Sequence, residues 1–122
     1  QKKLGAFYYR GKFVKLDYKE SFRWYKAAAD QGDPFGLYMV GCMYSCGEGV
    51  NRNAKLSRLY IERAALKGDY ESQKILANMY ETGKGKSKDL RKALHWYSSA
   101  AKTGDAQAAY SAIRVSRDLN RP

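Results

Sequence analysis

The sequence predicts an all-α solenoid, about three stacked helical hairpins followed by a terminal helix. Three observations carry that expectation. Gly32-Asp33 returns at Gly68-Asp69 and again at Gly104-Asp105, each time 36 residues on, and a fixed period of this length marks a stacked-repeat protein. The stretch KESFRWYKAAADQGD from Lys19 aligns without a gap with KLSRLYIERAALKGD from Lys55 and RKALHWYSSAAKTGD from Arg91. No segment alternates apolar and polar residues as a half-buried strand would.

Each unit reads as two helices. A first block opens it: LGAFYYRGKF from Leu4, VGCMYSCGEG from Val40 and LANMYETGKG from Leu76. Leu4, Val40 and Leu76 are followed by a small residue (Gly5, Gly41, Ala77), which lets a neighbouring helix approach. Tyr8, Tyr44 and Tyr80 come four positions after the Leu or Val, on the same helical face. Gly11, Gly47 and Gly83 end this helix, and Gly49 and Gly85 turn the chain back. In the first unit Phe13 stands where the others have glycine, so a tighter turn is expected there.

The second block is preceded by Asp17, Asn53 and Asp89, each able to accept from the free N–H groups of a first turn. Ala93, Leu94, Trp96, Tyr97, Ala100 and Ala101 show its helical spacing in the third copy. Gly32, Gly68 and Gly104 close it, and the following aspartate is placed to cap the next helix. Pro34 falls where a first turn tolerates it. The units are assigned to residues 1–33, 34–69 and 70–105 of a single solenoid domain. A fourth opens with AQAAYSAIRV from Ala106 and stops matching, giving an extra helix at 106–118.

A chain of 122 residues suits one folding unit. It holds about the three units such a stack needs. The tyrosines and tryptophans mostly fall on the repeat register (Tyr8, Trp24, Tyr25, Tyr44, Tyr60, Tyr80, Trp96, Tyr97) and read as inter-helix packing. No apolar run reaches the length of a membrane span. The chain opens at Gln1, inside a repeat, as a fragment or processed form would. Cys42 and Cys46 are four apart on one helix, where Cβ atoms lie roughly 6 Å apart, beyond the ~4 Å of a disulfide; free, partly buried thiols are expected. One histidine, His95, on a different helix leaves no four-ligand metal site.

The blocks resemble the Sel-like repeat family, related to tetratricopeptide repeats. Its pattern is seen in Val40-Gly41, Tyr44, Gly47, Gly49-Val50, Asn53, Tyr60, Ala64-Ala65 and Gly68. It is seen again in Leu76, Tyr80, Gly83, Gly85, Asp89, Lys92-Ala93, Trp96-Tyr97, Ala100-Ala101 and Gly104. Ser21 and Ser57 replace an alanine, and Ala77 replaces a glycine. The resemblance covers almost all of residues 4 to 112. It implies a right-handed α-α superhelix of antiparallel hairpins. It also implies adaptor or scaffold work, commonly in bacteria, in envelope, secretion or host-contact settings; envelope, periplasm and cytoplasm all stay open. It transfers no catalytic residue and no cofactor.

In such stacks the first helix of each unit lines the concave side. Groove candidates are therefore first-helix residues off the Leu/Tyr core stripe: Tyr9, Tyr38, Cys42, Ser45, Lys74, Asn78 and Glu81. Tyr38 and Lys74 share a repeat position, as do Cys42 and Asn78, and Ser45 and Glu81. Equivalent positions that differ in chemistry suit a specific groove; the plain alternative is solvated surface.

The net charge is +11. Its cations concentrate on the second helices, with Lys19, Lys55 and Arg91 at one repeat position, flanked by Arg58 and Lys92. Stacking should set that row about 10 Å apart. Such a basic outer face keeps a stack soluble, and it could also meet phosphates, anionic lipid or an acidic protein. No nucleic-acid-reading motif accompanies it.

A catalytic reading lacks its residues. His95 shares its repeat position with Arg23 and Leu59 and should face outward. Gly83-Lys84 lacks the upstream spacing of a phosphate loop. The function expected is a non-enzymatic scaffold or adaptor that holds a protein or peptide partner in its groove. The alternatives are a basic platform for nucleic acid or an anionic membrane surface, and a bacterial immunity or regulatory protein that occludes a toxin or enzyme.

Overall fold

The computed structural model describes residues 17–121 and the backbone of two short strands, residues 6–9 and 12–15. Among the described residues six helices follow one another: α1 Tyr18–Asp30, α2 Pro34–Cys46, α3 Ala54–Leu66, α4 Tyr70–Thr82, α5 Leu90–Ala101 and α6 Ala106–Leu119. Each packs chiefly on its neighbours in sequence, α1 on α2 and so on to α5 on α6. That serial contact pattern is what a solenoid requires.

Local chemistry starts every one of these helices. The side chains of Asp17, Asp33, Asn53, Asp69, Asp89 and Asp105 each accept a backbone N–H of the first turn. Such a cap contributes about 1 kcal/mol. Asp33 and Asp69 also close the helix before them. The Asp33 N–H reaches the Ala28 carbonyl at 3.1 Å while Gly32 N–H reaches Ala29 at 2.8 Å, and Asp69 and Gly68 repeat this on Ala64 and Ala65 at 3.0 Å each. This is a Schellman closure whose last residue is already the next cap, so the corner between units is short and fixed.

The turn within each unit is seated on the unit before it. A Cβ on Gly49, whose φ is +75°, would lie 2.2 Å from the Tyr18 carbonyl oxygen at the start of α1. Only glycine permits both that conformation and that approach.

Two buried clusters lie along the stack. Ala29, Leu37, Val40, Tyr60 and Ala64 form one, with Phe22, Tyr25, Tyr38 and Tyr44 packed on it. Ala77, Ala93, Tyr97 and Val115 form the other, with Tyr80, Leu90, Leu94 and Trp96 around it. Tyr25, Tyr44, Tyr60, Tyr80, Trp96 and Tyr97 therefore pack between helices as expected, while the Tyr8 side chain lies outside the described residues. Trp24 is exposed.

The first block of the first unit departs from the expected helix. Ala6–Tyr9 (β1) and Lys12–Lys15 (β2) pair antiparallel, with Tyr8 opposite Phe13 and Tyr9 opposite Lys12. The reason lies in composition: Phe7, Tyr8, Tyr9, Phe13 and Val14 are aromatic or β-branched, types that favour strands. Leu4, Gly5 and Gly11, assigned to that helix, lie outside the described residues. The complete hairpins are thus α2·α3 and α4·α5, with α1 and α6 on their flanks.

Candidate functional site

Of the expected groove residues, Tyr38, Cys42 and Ser45 lie on α2 and Lys74, Asn78 and Glu81 on α4, and the structure sorts these six into two kinds. Some hold the stack together. Lys74 on α4 extends to the next unit, its Nζ 3.1 Å from Asp105 Oδ2 and 3.6 Å from Glu71 Oε1. It also lies 5.6 Å from the centre of the Tyr70 ring. Burial disfavours its charge, but the Asp105 and Glu71 carboxylates outweigh this and hold the ammonium above its ordinary range. Tyr38, at the same repeat position on α2, is half-buried and packs on the first buried cluster. Burial raises its phenol, and the Cys42 thiol hydrogen-bonded to it and the charges of Glu71 and Asp69 raise it further. Chemistry differs at this position: Lys74 bridges to the next first-block helix, whereas Tyr38 packs on the first buried cluster and beside Phe35.

Glu81 is the second such bridge. Its Oε1 accepts the Tyr97 hydroxyl at 3.0 Å and Arg114 Nη2 at 3.3 Å. Arg114 Nη1 also donates to Oε2. Burial pushes the carboxyl up, but the hydrogen bonds from Arg114 and Tyr97 prevail and hold it below its ordinary value. Three helices, α4, α5 and α6, meet on this carboxylate.

The remaining candidates are more available. Asn78 and Ser45 are exposed. Cys42 is half-buried, and burial pushes its thiol up, away from the reactive thiolate. Cys42 and Cys46 are both free thiols. Tyr9 lies in β1, and its side chain is outside the described residues.

Asn78 opens onto a polar cleft of about 450 Å³ between α4 and α6, shared with Lys74, Tyr97, Gln107, Ser111 and Arg114. Sequence reasoning named Lys74 and Asn78 but missed the other four. A signal existed for Arg114, which stands 36 residues after Asn78 and so repeats the position of Cys42 and Asn78. It was hidden because the fourth unit stops matching the pattern.

On the second-block helices, Lys19, Lys55, Arg91 and Lys92 are exposed and Arg58 is half-buried. Among the described residues none of these five lies in ion-pair reach of a carboxylate. Lys92 rests 5.4 Å from the Tyr80 ring centre. His95 is exposed, its ring edge-on to Trp96 at 5.0 Å. No described helix is long and apolar enough to cross a membrane.

The Sel1 repeat family model matches residues 1–33, 34–69 and 71–105. No curated protein sequence matches the chain. Solved structures do. A Sel1 repeat protein from Oxalobacter formigenes superposes with a TM-score of 0.75 at 26% identity, over 81% of this chain and 41% of that one. A protective antigen present in uropathogenic Escherichia coli strains, displaying an SLR fold, gives 0.74 at 30% identity over 87% of this chain and 23% of its own. Cysteine rich protein B of Helicobacter pylori gives 0.71 at 21% identity, covering 77% and 71%, a likeness of fold alone. The chain spans less than half the length of the first two relatives. Three matched repeats running through most of the sequence, on six serially packed helices, make this chain a member of the Sel1 repeat family, helical solenoids that generally serve as non-catalytic scaffolds for protein binding.

Proposed function

We propose that this chain is a non-enzymatic scaffold that holds an extended segment of a protein partner along the side formed by α2, α4 and α6. The observation that carries this reading is the cleft between α4 and α6. Its amides and hydroxyl (Asn78, Gln107, Ser111) offer donors and acceptors suited to a peptide backbone. Its charges are already matched inside the chain, Lys74 by Asp105 and Glu71, and Arg114 by Glu81. A cleft with internally balanced charge and spare amides suits a neutral backbone better than a polyanion. Pre-set ion pairs also keep its walls rigid, which lowers the entropic cost of binding. Tyr38, Cys42 and Ser45 continue the same side on α2.

A second reading has its own observation: Lys19, Lys55 and Arg91 are exposed and form no ion pair among the described residues. It would make the outer face a platform for phosphates on nucleic acid or an anionic membrane. An immunity or regulatory protein that occludes a toxin or enzyme would use the groove itself and differs in partner only.

The two faces are separated by capturing the partner from the source organism and titrating it in rising salt. A groove complex should survive moderate salt, whereas one driven by phosphates loses affinity steeply. Loss of all binding at moderate salt would refute the groove reading.

A further inference from the structure

We propose that the outward face of α3 docks this chain on an anionic lipid bilayer, with Leu59 and Leu66 entering the headgroup layer and the cations around them meeting lipid phosphates. The inference rests on the outer-face reading above and chooses a bilayer over nucleic acid. Helix α3 lies in the middle of the array, packed between α2 and α4.

This helix turns its two sides to opposite surroundings. Ser57, Tyr60, Ile61, Ala64 and Ala65 are buried. At 3.6 residues per turn, the direction opposite Ser57 and Ala64 is that of Lys55, Leu59 and Leu66. Lys55 is exposed, and Leu59 and Leu66 are 40% and 69% exposed. Two leucines seven residues apart share one crest and lie about 10 Å apart along it. Arg58 and Arg63 flank that crest on either side, and Lys67 follows at its end. Single exposed leucines are ordinary on a protein surface. Here the repeat sets the pair apart. The same two positions hold Arg23 and Asp30 in the first unit and His95 and Lys102 in the third, so stacking requires an apolar residue at neither.

Charge on this face has one sign. Lys55, Arg58, Arg63 and Lys67 form no ion pair among the described residues. The Arg63 guanidinium lies 5.6 Å from the centre of the Tyr60 ring. Glu62, the one acid of the helix, is taken by Lys86 at 3.0 Å. Leu66 also borders an open hollow of about 320 Å³ with Ala29 and Leu37, rimmed by Arg63 and Lys67. Asp30, on the same rim, is held by Lys26 at 2.9 Å.

An apolar crest ringed by cations fits a bilayer. Interfacial helices place leucine at the boundary of headgroups and acyl chains, with lysine and arginine on the anionic headgroups. Each cation near such a surface adds attraction. Nucleic-acid phosphates would take the same cations, but they would leave the leucines against a polar backbone. Docking through α3 uses none of the groove residues described on α2 and α4.

Co-sedimentation of the whole chain with vesicles tests this, comparing pure phosphatidylcholine with equal parts phosphatidylcholine and phosphatidylglycerol at physiological salt. Binding is expected to the mixed vesicles alone. Leu59→Ser with Leu66→Ser keeps every charge and should lower that binding by about tenfold, with the helical circular dichroism of the parent. Lys55→Glu with Lys67→Glu should abolish it. Asn78→Ala should leave it unchanged, which separates this surface from the groove. A parent that does not bind mixed vesicles overturns the proposal. So does binding that the serine pair leaves intact, which would be adsorption through net charge alone. A duplex DNA or single-stranded RNA oligonucleotide that binds more tightly than the mixed vesicles, and ignores the serine pair, would keep the outer-face reading and overturn the bilayer. Binding of neither vesicle nor oligonucleotide would remove both.

Discussion

The carboxylate of Glu81 accepts the hydroxyl of Tyr97 at 3.0 Å, and Arg114 grips the same group from α6. A single side chain on α4 thus ties three helices together beside the cleft proposed to receive a partner. The Glu81 side chain is only 14% exposed. Removing the cation while leaving the carboxylate exposes the cost of an uncompensated charge. Arg114→Met should lower stability by about 1–3 kcal/mol, read from the urea midpoint. Glu81→Gln combined with Arg114→Met should cost less than the sum of the single changes, because the two residues are directly coupled. Additive losses would show that the pair does not act as a unit.

The same carboxylate makes a pH prediction. Its folded pKa lies below the ordinary value of 4.5, so the folded state favours the ionised form. The associated stability is fully present above about pH 4.5 and is lost as pH falls through the folded value. Urea midpoints of the parent should fall more steeply below that pH than those of Glu81→Gln. Parallel curves would remove Glu81 from the account of acid sensitivity.

The seating of each turn on the preceding helix predicts an unequal response to alanine. Gly68 has a φ of +101° and open space around it, whereas Gly49 has a φ of +75° and would place a Cβ against the Tyr18 carbonyl. Gly68→Ala carries the backbone term alone, about 1–2 kcal/mol. Gly49→Ala adds a clash with main chain that cannot rotate away. Thermal melts should show the larger drop at Gly49, and equal drops would mean the turn is not clamped.

Much of this architecture was legible in the sequence, for a physical reason. Caps and closures are local, so Asp33, Asn53 and Asp69 mark helix ends without reference to tertiary structure. The 36-residue register then orders the units. Two things were not legible. The strands at Ala6–Tyr9 and Lys12–Lys15 replaced a helix because local β preference in an aromatic run prevailed over the repeat pattern. The roles of Lys74 and Glu81 depend on how far a long side chain reaches into the next unit. Periodicity marks a position as variable, but it does not reveal that a variable residue is already paired. Trp24 fits the register yet is exposed, and periodicity alone does not mark it as the exception.

The groove reading predicts which surface changes matter for binding. Tyr38→Ala with Asn78→Ala should weaken the captured partner at least tenfold, about 1.4 kcal/mol. Reversal to glutamate at Lys19, Lys55 and Arg91 should change affinity by less than about threefold at moderate salt, where exposed charges are largely screened. Because Tyr38 also packs on the first buried cluster, the exposed Asn78→Ala alone should show weakening with a circular dichroism spectrum that matches the parent.

The most direct measurement is calorimetric titration of the partner, captured from the source organism, against these two variants side by side. The account predicts that the Tyr38/Asn78 change weakens the complex and the Lys19/Lys55/Arg91 reversal spares it. Binding abolished by the charge reversal and untouched by the groove change would contradict it.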